Sequence, residues 1–376
     1  MLNFSFYNPT KIIFGNDSIG QIASEIPVNA KVMMIYGMGS IKRNGVYNQV
    51  IQALSGFSFI EFGGIEPNPE YETLMKAVLL ARSEKVDFLL AVGGGSVVDG
   101  TKFIAAAIPF KGSSAWDMMN GAPVHSAIPL GCVLTLPATG SESNSGAIIS
   151  NREKQLKCYF GSTLCFPVFS VLDPSTTVTL DQRQTVNGIV DAFVHVLEQY
   201  LTYPVNNPLQ DRFSEGILKT LIEEGPKVIS KPDDVSARAN VMWCCTLALN
   251  GLIGCGVPSD WATHYIGHEL TAFYGVDHAQ SLAIVLPGLL RHQLQGKHIK
   301  LAQYSRRIWQ LQAPLDSIEA TEVFFRQLGM KTRLSEYGIT EGLERIGERF
   351  RQRKIALGEH RDILPDHVDQ ILQSRI

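Results

Sequence analysis

Residues 86–107 read VDFLLAVGGGSVVDGTKFIAAA: a near-continuous apolar run, three consecutive glycines, then apolar residues at helical spacing. Such a run marks a strand buried on both faces, as in a parallel sheet covered by helices. The glycines lead directly from strand to helix, so the helix's first N–H groups and the positive end of its dipole face outward. Glycine lets an anion approach the backbone closely and permits positive φ. Gly94, Gly95 and Ser96 are therefore the expected cradle for a phosphate or pyrophosphate. A plain tight turn would not require three glycines in a row.

The same alternation recurs through the first half. KVMMIYG (31–37), FSFIEF (57–62) and GCVLTLP (131–137) read as strands, with helices expected over about 45–54 and over YETLMKAVLLARSEK. Strands alternating with helices predict an α/β fold, a Rossmann-like doubly wound parallel sheet. After about Thr179 the strand signals stop. DQRQTVNGIVDAFVHVLEQYLT, LQDRFSEGILKTLIEEGPKVI and DVSARANVMWCCTLALNGL all repeat apolar residues at i, i+3, i+4. A chain of 376 residues exceeds what one core supports. The expected organisation is a dinucleotide-binding α/β domain over 1–179 and an all-helical metal-binding domain over 180–376.

Composition narrows the partners. A net charge of -3 offers no long-range attraction for nucleic acid or an anionic membrane. The most apolar stretch, Val241–Val257, contains Asn250 and three glycines and is shorter than the roughly 20 residues that span a bilayer. MLNFSFYNPTKIIFG has no basic head followed by an apolar core, and the six cysteines show no CxxC pairing. A cytoplasmic protein with reduced thiols is expected.

Two further turns bear on the cofactor. The first, Gly37-Met38-Gly39-Ser40-Ile41-Lys42-Arg43, lacks both GxGxxG and the acidic residue that holds a ribose 2′-OH. Its serine and two cations suit a 2′-phosphate instead, which favours NADP over NAD; Gly37, Gly39, Ser40 and Lys42 are the candidates. In TLPATGSESNSG (135–146), the hydroxyls of Thr135, Thr139 and Ser141 are placed to contact the same ligand.

The second half carries metal-ligand chemistry. QTVNGIVDAFVHVLEQ sets Asp191 and His195 four apart on a helix, so both project from one face. Among apolar neighbours an unpaired carboxylate is costly, and a cation relieves it. WATHYIGHELTA repeats the spacing with His264 and His268, and His278 follows ten residues later. The metalloprotease pattern HExxH fails, since Ala272 stands where the second histidine belongs. Helical geometry alone selects His264 with His268; a chain that turns back after Gly275 selects His264 with His278.

These segments together resemble the iron-containing (group III) alcohol dehydrogenases, most closely the NADPH-dependent aldehyde reductase and butanol dehydrogenase branch. The matching stretches are GGGSVVDGTK, TLPATGSE, VLDP (171–174), NGIVDAFVHVLEQY, THYIGHELTAFYGVDHAQ and AIVLP. The resemblance implies a dehydroquinate synthase-like fold in which a Rossmann-like and a helical domain flank a cleft holding NAD(P) and a metal. Position by position, it implies Asp191, His195, His264 and His278 as ligands and His268 as a residue near the metal. It also places the GGGS turn and Asp99 at the pyrophosphate, with Lys157, Thr135 and Thr139 along the cofactor. Met38 stands where NAD-preferring members have aspartate, and Asp181 replaces the usual proline of TLPPRQ. A homodimer is what relatives imply.

The expected function is reversible hydride transfer between NADPH and short-chain aldehydes, aided by one divalent metal, Fe(II) or Zn(II), with His268 as proton relay. A polyol or glycerol-type dehydrogenase is the rival within the fold. A metal-dependent hydrolase or lyase without nucleotide is the rival from another class, and it leaves the glycine turns unexplained.

Overall fold

The apolar runs of the first half pair in parallel in a computed structural model that describes all 376 residues. In chain order this half contains β1 (Lys11–Phe14), α1 (Ile22–Glu25), β2 (Lys31–Tyr36), α2 (Val46–Ala53), β3 (Ser58–Phe62) and α3 (Tyr71–Ser83). There follow β4 (Phe88–Gly94), α4 (Gly95–Ala107), β5 (Leu130–Leu136), β6 (Gly146–Asn151), β7 (Leu156–Gly161) and β8 (Phe169–Leu172). Six strands form one parallel sheet in the order β1-β8-β5-β4-β2-β3, and β6 and β7 make a separate antiparallel pair.

The sheet is buried on both faces because successive strand residues point to opposite sides. Leu89 and Ala91 of β4 join the core formed with Leu74, Val78 and Phe103 of α3 and α4. Phe88, Leu90 and Val92 join the opposite core with Ile22, Val46 and Val50 of α1 and α2. Neither side of the strand tolerates a polar residue, hence the unbroken apolar run. From β4 the sheet extends to β2 and β3 on one side and to β5, β8 and β1 on the other. The turns after β2, β4 and β5 therefore lie together at the carboxyl ends of three neighbouring parallel strands, the place where open α/β sheets bind ligands. The strands β1 and β8 and the β6–β7 hairpin were not among the sequence expectations.

From Gln182 onward the elements are α5 (Gln182–Tyr200), α6 (Pro208–Ser230), α7 (Val235–Ala248), α8 (Ala262–Tyr274), α9 (His278–His292), α10 (His298–Tyr304), α11 (Pro314–Gln327), α12 (Glu344–Arg353) and α13 (Pro365–Gln373). No strand occurs here; a lone bridge joins Leu357 and Ile363. Within α5 every residue from Thr185 to Tyr200 except Asn187 is buried, as befits a helix apolar nearly all round. The apolar stretch from Val241 leaves its helix at Ala248, and no helix is long and apolar enough to cross a membrane.

The chain forms two compact units, each built from more than one stretch. The sheet unit takes Tyr7–Asp181 and Pro232–Thr246; the helical unit takes Met1–Phe6, Gln182–Lys231 and Leu247–Ile376. A single division at 179/180 leaves these two exchanges out. Most of α7 thus packs in the sheet unit, where Met242 meets Leu134 and Leu172, and Trp243 meets Phe14 edge to face.

Candidate metal centre and nucleotide turns

Three polar residues of α5, Asp191, His195 and Glu198, follow one another at i, i+4 and i+7 and so share a face in the buried part of the helix. The facing residues come from α8 and α9. Trp261 enters α8 in the left-handed region at φ 60°, a rare conformation for so bulky a residue, and Gly275 ends the helix at φ 69°. Asp277 then starts α9, with its N–H donating to Gln280 Oε1 at 3.3 Å. His278 is consequently the first residue of α9. The two helices approach closely: a Cβ on Gly267 would lie 2.7 Å from Ser281 Oγ.

This arrangement converges on Asp191. Its Oδ1 lies 3.4 Å from His195 Nδ1, 3.7 Å from His264 Nε2 and 3.7 Å from His278 Nε2. The ligand atoms of Asp191, His195 and His264 all fall within 4.8 Å of one another; His278 reaches this group through Asp191 and lies outside that mutual limit. The His195 and His264 rings stack at 4.4 Å. The His268 ring lies 6.2 Å from that of His264 and 5.1 Å from that of His278. Of the two pairings left open by helical spacing, the one made by a chain turning back at Gly275 puts its nitrogens beside Asp191. His268 lies one turn farther along α8.

The donor set fits a cation. His195 Nδ1 and His264 Nε2 are buried ring nitrogens with no hydrogen-bond partner, a condition that costs about 1–3 kcal/mol per group unless something binds them. Burial pushes His195 down to about 4, although Asp191 opposes this. Burial also acts to lower His264, but the Glu198 and Asp191 carboxylates outweigh it and raise the ring to about 9. One carboxylate and three imidazoles without a thiolate match a catalytic Fe(II) or Zn(II) site better than a structural zinc site.

The glycine turns are shaped by contact. A Cβ on Gly94 would lie 2.9 Å from Leu136 Cβ, and one on Gly95 would lie 2.5 Å from Thr139 Oγ1. The turns after β4 and β5 therefore touch, and only glycine fits between them. Gly95 is the first residue of α4, so the N-terminus of that helix opens at this point. Ser96 Oγ accepts from Asn68 N at 3.2 Å. After β2, Gly39 is left-handed at φ 94° and Met38 is exposed. Lys42 Nζ sits 4.9 Å over Tyr36 and 4.8 Å over Tyr47, with Glu61 at 3.7 Å.

Two expected cofactor residues turn inward. Asp99 accepts from Ser141 Oγ and from Ile148 N, so both its oxygens are engaged. Ser141 Oγ in turn accepts from Lys102 Nζ. These side chains hold the turns together from beneath. Thr139 Oγ1 accepts from Ser141 N, while Thr135 is buried at the end of β5 and Lys157 lies on β7.

Sequence reasoning passed over Lys102 and Glu198. Each had a visible signal: a charged residue inside a buried helix, three positions after a singled-out partner, Asp99 and His195 respectively.

Comparison with known proteins identifies the family. The family of iron-containing alcohol dehydrogenases matches residues 9–174, and its C-terminal part matches residues 185–376. The chain is 53% identical to the NADPH-dependent aldehyde reductase YqhD of Escherichia coli (strain K12), over 97% of each protein. It is 41% identical to the probable NADH-dependent butanol dehydrogenase 1 of Bacillus subtilis (strain 168), over 93% of each. Among solved structures, the substrate- and cofactor-free aldehyde reductase YqhD superposes with a TM-score of 0.94 at 50% identity, over 100% of both chains. The NADH-dependent butanol dehydrogenase A of Thermotoga maritima gives 0.95 at 35% identity, over 100% of this chain and 99% of that one. The chain belongs to the iron-containing alcohol dehydrogenase family.

Proposed function

We propose that this protein transfers hydride reversibly between NADPH and short-chain aldehydes, with Asp191, His195, His264 and His278 holding one Fe(II) or Zn(II). The observation that carries the reading is the approach of three histidine nitrogens to one buried Asp191 oxygen, at 3.4, 3.7 and 3.7 Å. A divalent metal there supplies Lewis acidity to a carbonyl oxygen.

The remaining work falls to the chain's own residues. The backbone of Gly94, Gly95 and Ser96 at the start of α4 binds the pyrophosphate. Gly37, Gly39, Ser40 and Lys42 receive the ribose 2′-phosphate, in a turn with no acidic residue of its own, where Lys42 is shared with Glu61 of β3 at 3.7 Å. Thr135, Thr139 and Lys157 line the cofactor, while Asp99 and Ser141 set the shape of the turns. Holding the nicotinamide against the substrate is a positioning effect. His268, half-buried and one ring removed from His278, relays a proton from water to the new alcohol oxygen. The protein acts in the cytoplasm as a homodimer.

Loss of NADPH absorbance with butanal, measured before metal removal, after it, and after Fe(II) or Zn(II) is restored, tests the reading. Activity that ignores the metal, or no activity with any short aldehyde, refutes it, and turnover of glycerol alone favours the polyol rival. Ligation is tested separately. His278→Ala should abolish metal retention, whereas His268→Ala should keep the metal and lower kcat; the reverse pattern overturns the ligand set.

A further inference from the structure

We infer that Glu198 is a positioning residue for metal binding: its carboxylate fixes the tautomer and direction of His264. The inference rests on the ligand set proposed above. Glu198 is 4% exposed and sits on α5, three residues after His195. Its Oε2 is hydrogen-bonded to His264 Nδ1. Its Oε1 accepts from the backbone N–H of Thr263 at 2.6 Å and of His264 at 3.4 Å. A carboxylate has only acceptor capacity, and a neutral imidazole has one N–H and one lone pair. In the neutral ring that a metal would bind, Nδ1 must therefore carry the proton, which leaves the lone pair on Nε2. That nitrogen is the buried one beside Asp191, 3.7 Å from Oδ1 and without a hydrogen-bond partner.

The anchor is itself held. Trp261 caps α8 with no side-chain bond of its own, and the first free N–H groups of the helix are taken by other carboxylates. Asp260 Oδ1 accepts from Ala262 N at 2.8 Å, and Glu198 takes the next two. Asp260 also pairs with Lys297 at 2.8 Å, and Lys297 pairs with Glu359 at 2.6 Å. The helix start that presents His264 is thus fastened from α5 and from the loop after α12. One helix carries two proposed ligands together with the group that aims a third.

Two substitutions separate aiming from mere support. In Glu198→Gln the amide oxygen can still accept from Thr263 and His264 N–H, which forces the NH2 group toward Nδ1. That group donates, so it selects the imidazole with its proton on Nε2, the wrong tautomer for a ligand. Glu198→Ala removes the helix contacts but imposes no tautomer. Zn(II) affinity by chelator competition should fall 10–100-fold in Glu198→Gln, with a changed Co(II) absorption spectrum. The melting midpoint of its metal-free form should stay near wild type. Glu198→Ala should show the opposite order, a larger loss of melting midpoint and a smaller loss of Zn(II) affinity. Equal Zn(II) affinity in wild type and Glu198→Gln, or affinities that follow the melting midpoints, would overturn the inference. A wild-type protein that takes up neither Zn(II) nor Co(II) refutes the ligand set instead. Nitrogen NMR of histidine-labelled, Zn(II)-loaded wild type needs no variant: a proton on His264 Nδ1 is expected, and one on Nε2 overturns the inference.

Discussion

Lys102→Met would strip the charge from beneath the nucleotide turns while nearly keeping length and volume. Lys102 is fully buried, and an ammonium has three donors. All three are used, on Ser141 Oγ at 2.8 Å, Asn144 Oδ1 at 2.9 Å and Gly146 O at 2.7 Å. Burial lowers the Lys102 pKa and raises that of Asp99, and each charge offsets the burial of the other. Removing one member leaves Asp99 without its cation. The two charges meet through Ser141 Oγ rather than by direct contact, so the cost of breaking a directly paired buried charge, about 3–5 kcal/mol, sets the scale. At roughly 2–4 °C per kcal/mol, the melting midpoint of the sheet unit should fall by roughly 6–20 °C. NADPH affinity, read by fluorescence titration, should fall with it, because the Thr139–Gly146 turn loses its tether. The double variant Asp99→Asn/Lys102→Met removes both charges, and Asn can still accept from Ile148 N. It should recover about 1–3 kcal/mol relative to the single variant. A Met variant melting within about 2 °C of wild type, or a double variant no better than the single, refutes the account.

Two other perturbations probe different contacts. Gly95→Ala places a Cβ 2.5 Å from Thr139 Oγ1, an atom fixed by Ser141 N at 3.2 Å, so the turn must shift. The overpacking cost of about 1–3 kcal/mol should raise the NADPH Kd roughly tenfold, while Gly20→Ala, with nothing within 4 Å, should leave it unchanged. Burial, then the bond and charge of Asp260, raise Glu359 to about 7 against the pull of Lys297. A carboxyl raised in the folded state contributes stability at low pH that is lost as pH climbs toward 7. Glu359→Gln cannot lose that proton, so its melting midpoint should vary less between pH 5 and 8 than that of wild type; an identical profile contradicts the assignment.

The sequence made the longer strands of the sheet legible and the four-residue ones obscure, for a physical reason. β2, β4 and β5 are buried on both faces, so burial alone writes them as apolar runs. β1 and β8 are four residues each, too short for a period to show. The i, i+4 spacing brought out Asp191 and His195 because both lie on one face of a single helix. It could not choose between His268 and His278, because that choice depends on the left-handed Gly275 and the close packing of α8 on α9 at Gly267. Ser141 reads as a ligand contact from the residues of its turn and Asp99 from the family resemblance, and neither source shows which way a polar group faces. Lys102 and Glu198 show only as charges inside buried helices, because the partners that give them a role are brought to them by tertiary structure, 39 and 66 positions along the chain.

The threading of the chain bears on how such a protein can be taken apart. The backbone passes between the units at 6/7, 181/182, 231/232 and 246/247, so no single cut yields either unit whole. A fragment ending at 181 would lack Thr246, whose hydroxyl donates to the buried Glu142 at 2.6 Å, and Met242, which covers Leu134 and Leu172. It would expose apolar surface and strand a carboxylate, which points to aggregation rather than an autonomous cofactor-binding module. Recombining nucleotide preference between relatives would accordingly require three crossovers more than a cassette exchange at the midpoint, with residues 232–246 travelling alongside the glycine turns.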